Sequence, residues 1–247
     1  MLPQGEKLKE KARLRALPLL ERPMTVRLKF RKVGSLQYIS HLDLQRTFQR
    51  VLSRACLPIW YTKGFNPHPK MVFSTPLSVG AQSEYEFLDI RLDREMPLQE
   101  VMDRLNGELT DELRIIKAYI PTRDFSEIEW ATYEIHLHTN GASQEMAEEI
   151  LKAMTTSPMM VLKKSKAGEK EVDLVPIIAE AKVRLEEEKG EIRMDVTLRA
   201  SSAEFLNPEL LITGLKQTCG ILSTSLSEEW YSILRTGVLK QDMTLFE

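Results

Sequence analysis

The run Lys63-Gly64-Phe65-Asn66-Pro67-His68-Pro69-Lys70 brings an imidazole, an aromatic ring and two lysines into eight consecutive positions. Pro67 and Pro69 stiffen the backbone on either side of His68, and Gly64 permits tight geometry. Such a loop suits phosphate contacts by Lys63 and Lys70, stacking on Phe65, and hydrogen bonding or proton transfer by His68. The alternative is an ordinary hairpin connection whose prolines prevent edge pairing. His41 is a second candidate for acid and base work, although His41 and Asp43, two residues apart, do not face each other on a helix. Asp43 reads more simply as a cap, and the value of His41 turns on whether it lies near His68. His136 and His138 share one face of a predicted strand, a spacing compatible with metal ligation. No cysteine or carboxylate beside them completes a site, so a solvent-facing pair is the favoured reading and no metal is expected. Lys163 to Lys170 reads as a basic, solvated turn that could touch an anion.

The distribution of charge points to the kind of partner these residues would meet. The net charge is −2, but Met24 to Thr75 holds nine basic residues against one acid, and residues 1 to 23 carry +3, which leaves −13 for the rest. This suits a phosphate-rich partner at the early part of the chain, or equally two halves that neutralise each other. The sequence holds no phosphate-cradling glycine loop with Lys-Ser/Thr, no G-x-G-x-x-G, no G-x-S-x-G and no H-E-x-x-H, which removes the commonest nucleotide-dependent and hydrolytic classes. Cys56 and Cys219 alone provide neither a disulfide framework nor a zinc or iron–sulfur site, so no cofactor is expected. With no apolar run near the ~20 residues of a membrane span, a soluble, cytoplasmic protein with no membrane partner is expected.

The elements that must position these residues follow from periodicity. Thr25 to Phe30 alternates as a half-buried strand. Ser40 and Asp43 open a helix on which Leu44, Phe48, Val51, Leu52 and Ala55 form an apolar face and Arg46, Arg50 and Arg54 a basic ridge. Pro58 closes it, Ile59–Thr62 and Lys70–Ser74 read as short strands around the loop, and Glu84–Leu92 as another. A helix from Pro97 carries Leu98, Val101, Met102 and Leu105, and Leu113–Ile120 is a last strand. After a linker at Pro121–Glu129, the order returns: a strand at Trp130–His138, a helix from Ser143 to Thr155, a strand at Met159–Lys164, a hairpin over residues 181–199, a helix between Asn207 and Gly220, and a strand at Trp230–Leu239. The expected fold is α+β, two tandem ferredoxin-like (split βαβ) modules with antiparallel sheets. The expected boundaries are a basic extension at 1–23, a basic domain at 24–123 and an acidic domain at 124–247.

Tyr38-Ile39-Ser40-His41-Leu42-Asp43-Leu44, the stretch Arg46 to Ala55, the Gly64–Lys70 loop and Pro76-Leu77-Ser78-Val79-Gly80 resemble the radical SAM-linked proteins. That family is a domain of unknown function encoded beside, or fused to, a radical SAM enzyme. Lys166–Leu174 and Arg235-Thr236-Gly237 fit it too, and the likeness spans roughly residues 24 to 240. The first half is more loosely similar to ferredoxin-like CRISPR repeat-processing endoribonucleases, with Asn66 where a second histidine would strengthen the comparison. The resemblance implies a radical SAM enzyme as partner. This chain is not itself that enzyme, because two distant cysteines cannot supply three cluster thiolates. The expected function is an accessory that positions a structured RNA, transfer or ribosomal, for that partner. Its expected RNA-binding residues are Arg46, Arg50, Arg54, Lys63, Gly64, Phe65, Asn66, His68 and Lys70. The alternatives are a metal-independent endoribonuclease or RNA-modifying enzyme using His68 and His41, and a protein-only adaptor.

Overall fold

Leu14 and Leu17 give the charged N-terminus one apolar edge, and the helix α1 (Gln4–Ala16) docks by it. Leu14 is buried, Glu10 pairs with Arg104, and Arg94 Nε donates to the Leu17 carbonyl at 3.1 Å. The segment expected to be an appendage is therefore a helix packed on the first core. Pro18 and Pro23 lie beyond its end at Ala16, where proline does not disrupt helix. The computed structural model describes residues 4–156, 158–165, 168–225 and 227–247. The chain divides into two compact units, Met1–Asp124 with Glu247, and Phe125–Phe246.

In the first unit, α1 is followed by β1 (Met24–Lys32), α2 (His41–Arg54), β2 (Met71–Phe73), β3 (Ala81–Leu92), α3 (Leu98–Asn106) and β4 (Leu113–Tyr119). The sheet order is β4-β1-β3-β2, with every pairing antiparallel. Val26, Leu28 and Phe30 of β1 and Leu88, Ile90 and Leu92 of β3 are buried under α2 and α3, which contribute Phe48, Val51, Leu52, Val101 and Leu105. The rings of Phe30, Phe48 and Phe73 meet edge to face at 5.1 to 6.3 Å. Asn106 clamps α3 to β4, its amide donating to the Ile115 carbonyl at 2.9 Å and accepting from the Ile115 N–H at 2.8 Å. Ile59–Thr62, expected as a strand, makes only isolated bridges, Ile59 to Leu92 and Tyr61 to Pro69. Pro58 has no N–H to extend the ladder on one side, and the loop turns away on the other.

The second unit runs β5 (Trp130–His138), α4 (Gln144–Thr155), β6 (Met160–Ser165), β7 (Gly168–Asp173), β8 (Ile178–Glu186), β9 (Glu191–Arg199), α5 (Pro208–Cys219) and β10 (Trp230–Leu239). Its sheet order is β10-β5-β9-β8, again antiparallel. The strand expected at Met159–Lys164 does not join that sheet; it pairs with β7 as a separate hairpin, and β8 takes the edge position instead. Lys166 and Ala167, in the basic stretch singled out above, lie outside the described residues. Ser143 and Asn207 cap α4 and α5 by accepting from the Met146 and Glu209 N–H groups at 3.2 and 3.0 Å. Gly220, with φ of 66°, ends α5 in the left-handed region. The described residues form an α+β fold with antiparallel sheets and five α-helices. No helix among the described residues is long and apolar enough to cross a membrane.

Candidate nucleic-acid interface

Of the nine basic residues between Met24 and Thr75, four are committed inside the first unit. Arg27 is buried and grips Asp89 with two hydrogen bonds, at 2.7 and 2.8 Å. Lys29 lies over the Tyr85 ring, 3.5 Å from its centroid, and pairs with Glu247 at 3.3 Å. Arg31 donates to the Asp111 carbonyl, and buried Lys32 donates to the Leu36 and Gln37 carbonyls. The charge read from sequence as a surface field is thus partly a set of internal ties. Arg46, Arg50, Arg54, Lys63 and Lys70 remain exposed.

The arginine ridge is real in geometry but uneven in charge. Arg46 faces Asp43 at 3.4 Å, and Arg54 is held by Glu108 at 2.9 Å. Arg50, like Lys63 and Lys70, has no partner among the described residues. Nothing in the sequence links Glu108 to Arg54, 54 positions apart. At the head of α2, Ser40 Oγ accepts from the Asp43 N–H at 3.1 Å and donates to its carboxylate at 2.7 Å. That bond, chiefly, with help from Arg46, holds the Asp43 carboxyl below its usual range.

The loop is pinned at its base and open at its tip. The Thr62 N–H donates to the His68 carbonyl at 2.9 Å, and the His68 N–H donates to Thr62 Oγ1 at 3.2 Å. His68 Nδ1 lies 3.0 Å from the Asn66 carbonyl. A carbonyl oxygen only accepts, so Nδ1 carries the proton of the neutral ring and Nε2 offers its lone pair on an exposed side chain. Thr62, which fixes this geometry, went unnoticed in the sequence, where an isolated threonine carries no signal. Gly64 has φ of 139°, a value that side chains rarely adopt, so this glycine is required. Phe65, at the tip, is 108% exposed and is no part of the core. Asn66, Pro67 and Lys70 are exposed as well, while Pro69 is buried.

His41 stays exposed at the head of α2. Its ring meets Phe73 edge to face at 5.0 Å, and Gln45 Nε2 donates to its Nε2 at 3.0 Å. Among the described residues no hydrogen bond or ring contact joins it to His68. In the second unit, His136 and His138 are half-buried on the face of β5 turned away from its buried residues Ala131, Tyr133, Ile135 and Leu137. His136 Nε2 meets Glu134 at 2.8 Å and its Nδ1 lies 3.5 Å from Glu191, while His138 stacks on Trp230 at 5.4 Å. Glu134 stands on the same strand face two positions before His136, and register brings Glu191 from β9, so the carboxylates missing from the sequence reading are there. Arg193 shares Glu134, and no group of three or more His, Cys, Asp or Glu among the described residues is arranged to hold a metal.

A family model described as an uncharacterized protein conserved in bacteria, DUF2344, matches residues 25–208. The chain belongs to the DUF2344 family. The matched region covers the whole ridge and loop and reaches the start of α5. No curated protein matches this DUF2344 chain. Among solved structures it is similar to a chain of a Cbf5-Nop10-Gar1 complex, at 13% identity and a TM-score of 0.47, covering 90% of this chain and 51% of that one. It thus spans about half the length of that structure. Two Rhodococcus jostii DypB variants in complex with heme are each 11% identical, with TM-scores of 0.21 and 0.20. They cover 88% and 90% of this chain, and 94% and 96% of theirs. Likenesses at these scores carry no argument about function.

Proposed function

We propose that the first unit binds single-stranded segments of a structured RNA, transfer or ribosomal, and positions it for a partner enzyme. The observation that carries this reading is the loop tip: a fully exposed Phe65 between Lys63 and Lys70, which have no partner among the described residues, on a base fixed by Thr62 and His68. A stiff loop loses less entropy on binding than a floppy one. An exposed ring offers a face to any base, and cations beside it meet phosphates. Arg50 and, after exchange of its exposed pair with Asp43, Arg46 extend the cationic track, while Arg54 stays with the buried carboxylate of Glu108. The radical SAM enzyme as partner rests on the resemblance of Tyr38–Leu44 and Gly64–Lys70 to the radical SAM-linked proteins.

The test is the salt dependence of binding to a labelled single-stranded RNA. Each phosphate contact contributes about 0.7 to the slope of log affinity against log salt. Arg50→Gln, Lys63→Gln and Lys70→Gln together should flatten it by about 2. Binding that ignores salt, or none at low salt, rejects the reading. The His68 geometry supports one second reading, a metal-independent nuclease with Nε2 as base. Cleavage in the presence of a chelator that His68→Ala abolishes, with the fold intact, selects that reading over the accessory.

A further inference from the structure

The helix α1 sorts its charges by face. Glu10 and Arg13 turn toward α3, where Glu10 meets Arg104 and Arg13 meets Glu100. At about 100° per residue Lys11 and Arg15 fall together on another side, separated from that pair by buried Leu14. Both line a cleft of about 260 Å³ between α1, the end of α2 and the segment leading to the loop. Its other charged walls are Arg94 and Asp93, which neutralise each other at 2.7 Å. Lys11 and Arg15 have no partner among the described residues, so their charge in the cleft is uncompensated. Tyr61, 43% exposed, forms the wall nearest the loop, and its backbone bridges to Pro69 at the loop base. Another cleft, of about 390 Å³ at Arg54 and Arg104, differs in kind: Glu10, Glu100 and Glu108 already occupy its guanidinium groups.

We infer that the cleft beside α1 is a second phosphate site on the path of the RNA, in which Lys11 and Arg15 hold the sugar-phosphate backbone as it leaves the loop past Tyr61. This rests on the RNA reading of the first unit and extends it to the N-terminal helix. Two cations converging on one concave site with a half-exposed phenol ring match a nucleotide in chemistry: charge for the phosphate, an aromatic surface for sugar or base. The docking of α1 keeps both cations in place before RNA arrives, which lowers the ordering cost of the contact.

The full chain is titrated with a labelled single-stranded RNA across a salt series. Lys11→Gln with Arg15→Gln should flatten the slope by about 1.4, the share of two single-strand phosphate contacts. Lys11→Arg with Arg15→Lys should restore it. Lys9→Gln, on the opposite side of the same helix, should leave it unchanged, and Tyr61→Ala should weaken binding without altering the slope. Equal melting temperatures for all variants keep the comparison free of folding effects, since Lys11 and Arg15 have no ion-pair or hydrogen-bond partner to lose among the described residues. A slope that does not respond to the Lys11 and Arg15 changes, while Arg50, Lys63 and Lys70 still matter, overturns the cleft and leaves the RNA reading standing. No binding by the intact chain overturns the RNA reading, and the cleft with it. Capture of inorganic phosphate by the cleft with an unchanged RNA slope assigns it to a free anion and also overturns the proposal.

Discussion

Phe65→Ala separates binding from stability because its ring touches nothing that folding builds. With the side chain at 108% exposure, its loss removes no buried area, and the cost to folding should stay within about 0.5 kcal/mol. Phe48 is the internal standard: it is fully buried and meets Phe30 at 5.1 Å and Phe73 at 5.8 Å. Phe48→Ala should cost about 3–5 kcal/mol and lower the melting temperature by many degrees. In binding the order reverses. Stacking of one base on an aromatic ring is worth about 1–3 kcal/mol. At about 1.4 kcal/mol per tenfold, Phe65→Ala should weaken RNA binding about 5- to 140-fold. Fluorescence anisotropy at fixed salt measures the affinity and circular dichroism the melting curve, and Phe65→Tyr should preserve both. If Phe65→Ala melts like Phe48→Ala, or binds like the unaltered chain, the loop tip is not a stacking platform.

Two further predictions concern the second unit. Glu229 accepts hydrogen bonds from Thr139 Oγ1, Thr224 Oγ1 and the Asn140 and Thr224 N–H groups, and these hold its carboxyl down from 4.5 to about 2. A lowered folded-state value means that the stability from this carboxylate is complete above about pH 4.5 and is lost as pH falls toward 2. The gap in melting temperature between the unaltered chain and Glu229→Gln should therefore be constant near neutrality and shrink between those limits; a gap independent of pH contradicts the assignment. Gly214 of α5 faces β6, and an added Cβ would lie 2.7 Å from Met159 Sδ and 3.0 Å from Val161 Cγ2. Overpacking at about 1–3 kcal/mol should outweigh the helix-propensity gain of about 1 kcal/mol, so Gly214→Ala should lower the urea midpoint, and a rise would show that the contact relaxes freely.

Most of the α+β elements are legible in the sequence because their signals are local. The alternation of Val26, Leu28 and Phe30 and the spacing of Leu44, Phe48, Val51 and Leu52 each lie within one element, as do the caps at Ser40, Ser143 and Asn207. The exposed loop at Lys63–Lys70 is legible for the same reason, since Gly64, Pro67 and Pro69 constrain only their own backbone. What the sequence could not assign is who neutralises whom. Nine basic residues read as one field, yet Asp89, Glu247 and the carbonyls of Leu36, Gln37 and Asp111 hold four of them inside, and Glu108 claims Arg54. Charge along a chain is additive, but the field at a surface depends on distance and burial, and strand register and helix packing set both. The same holds for α1, whose lysines and arginines look like a solvated tail until Leu14 docks them, and for β6, whose strand pattern says nothing of which neighbour it will pair with. Periodicity within a segment determined which residues face inward; only the contacts between distant segments decided which cations remain free.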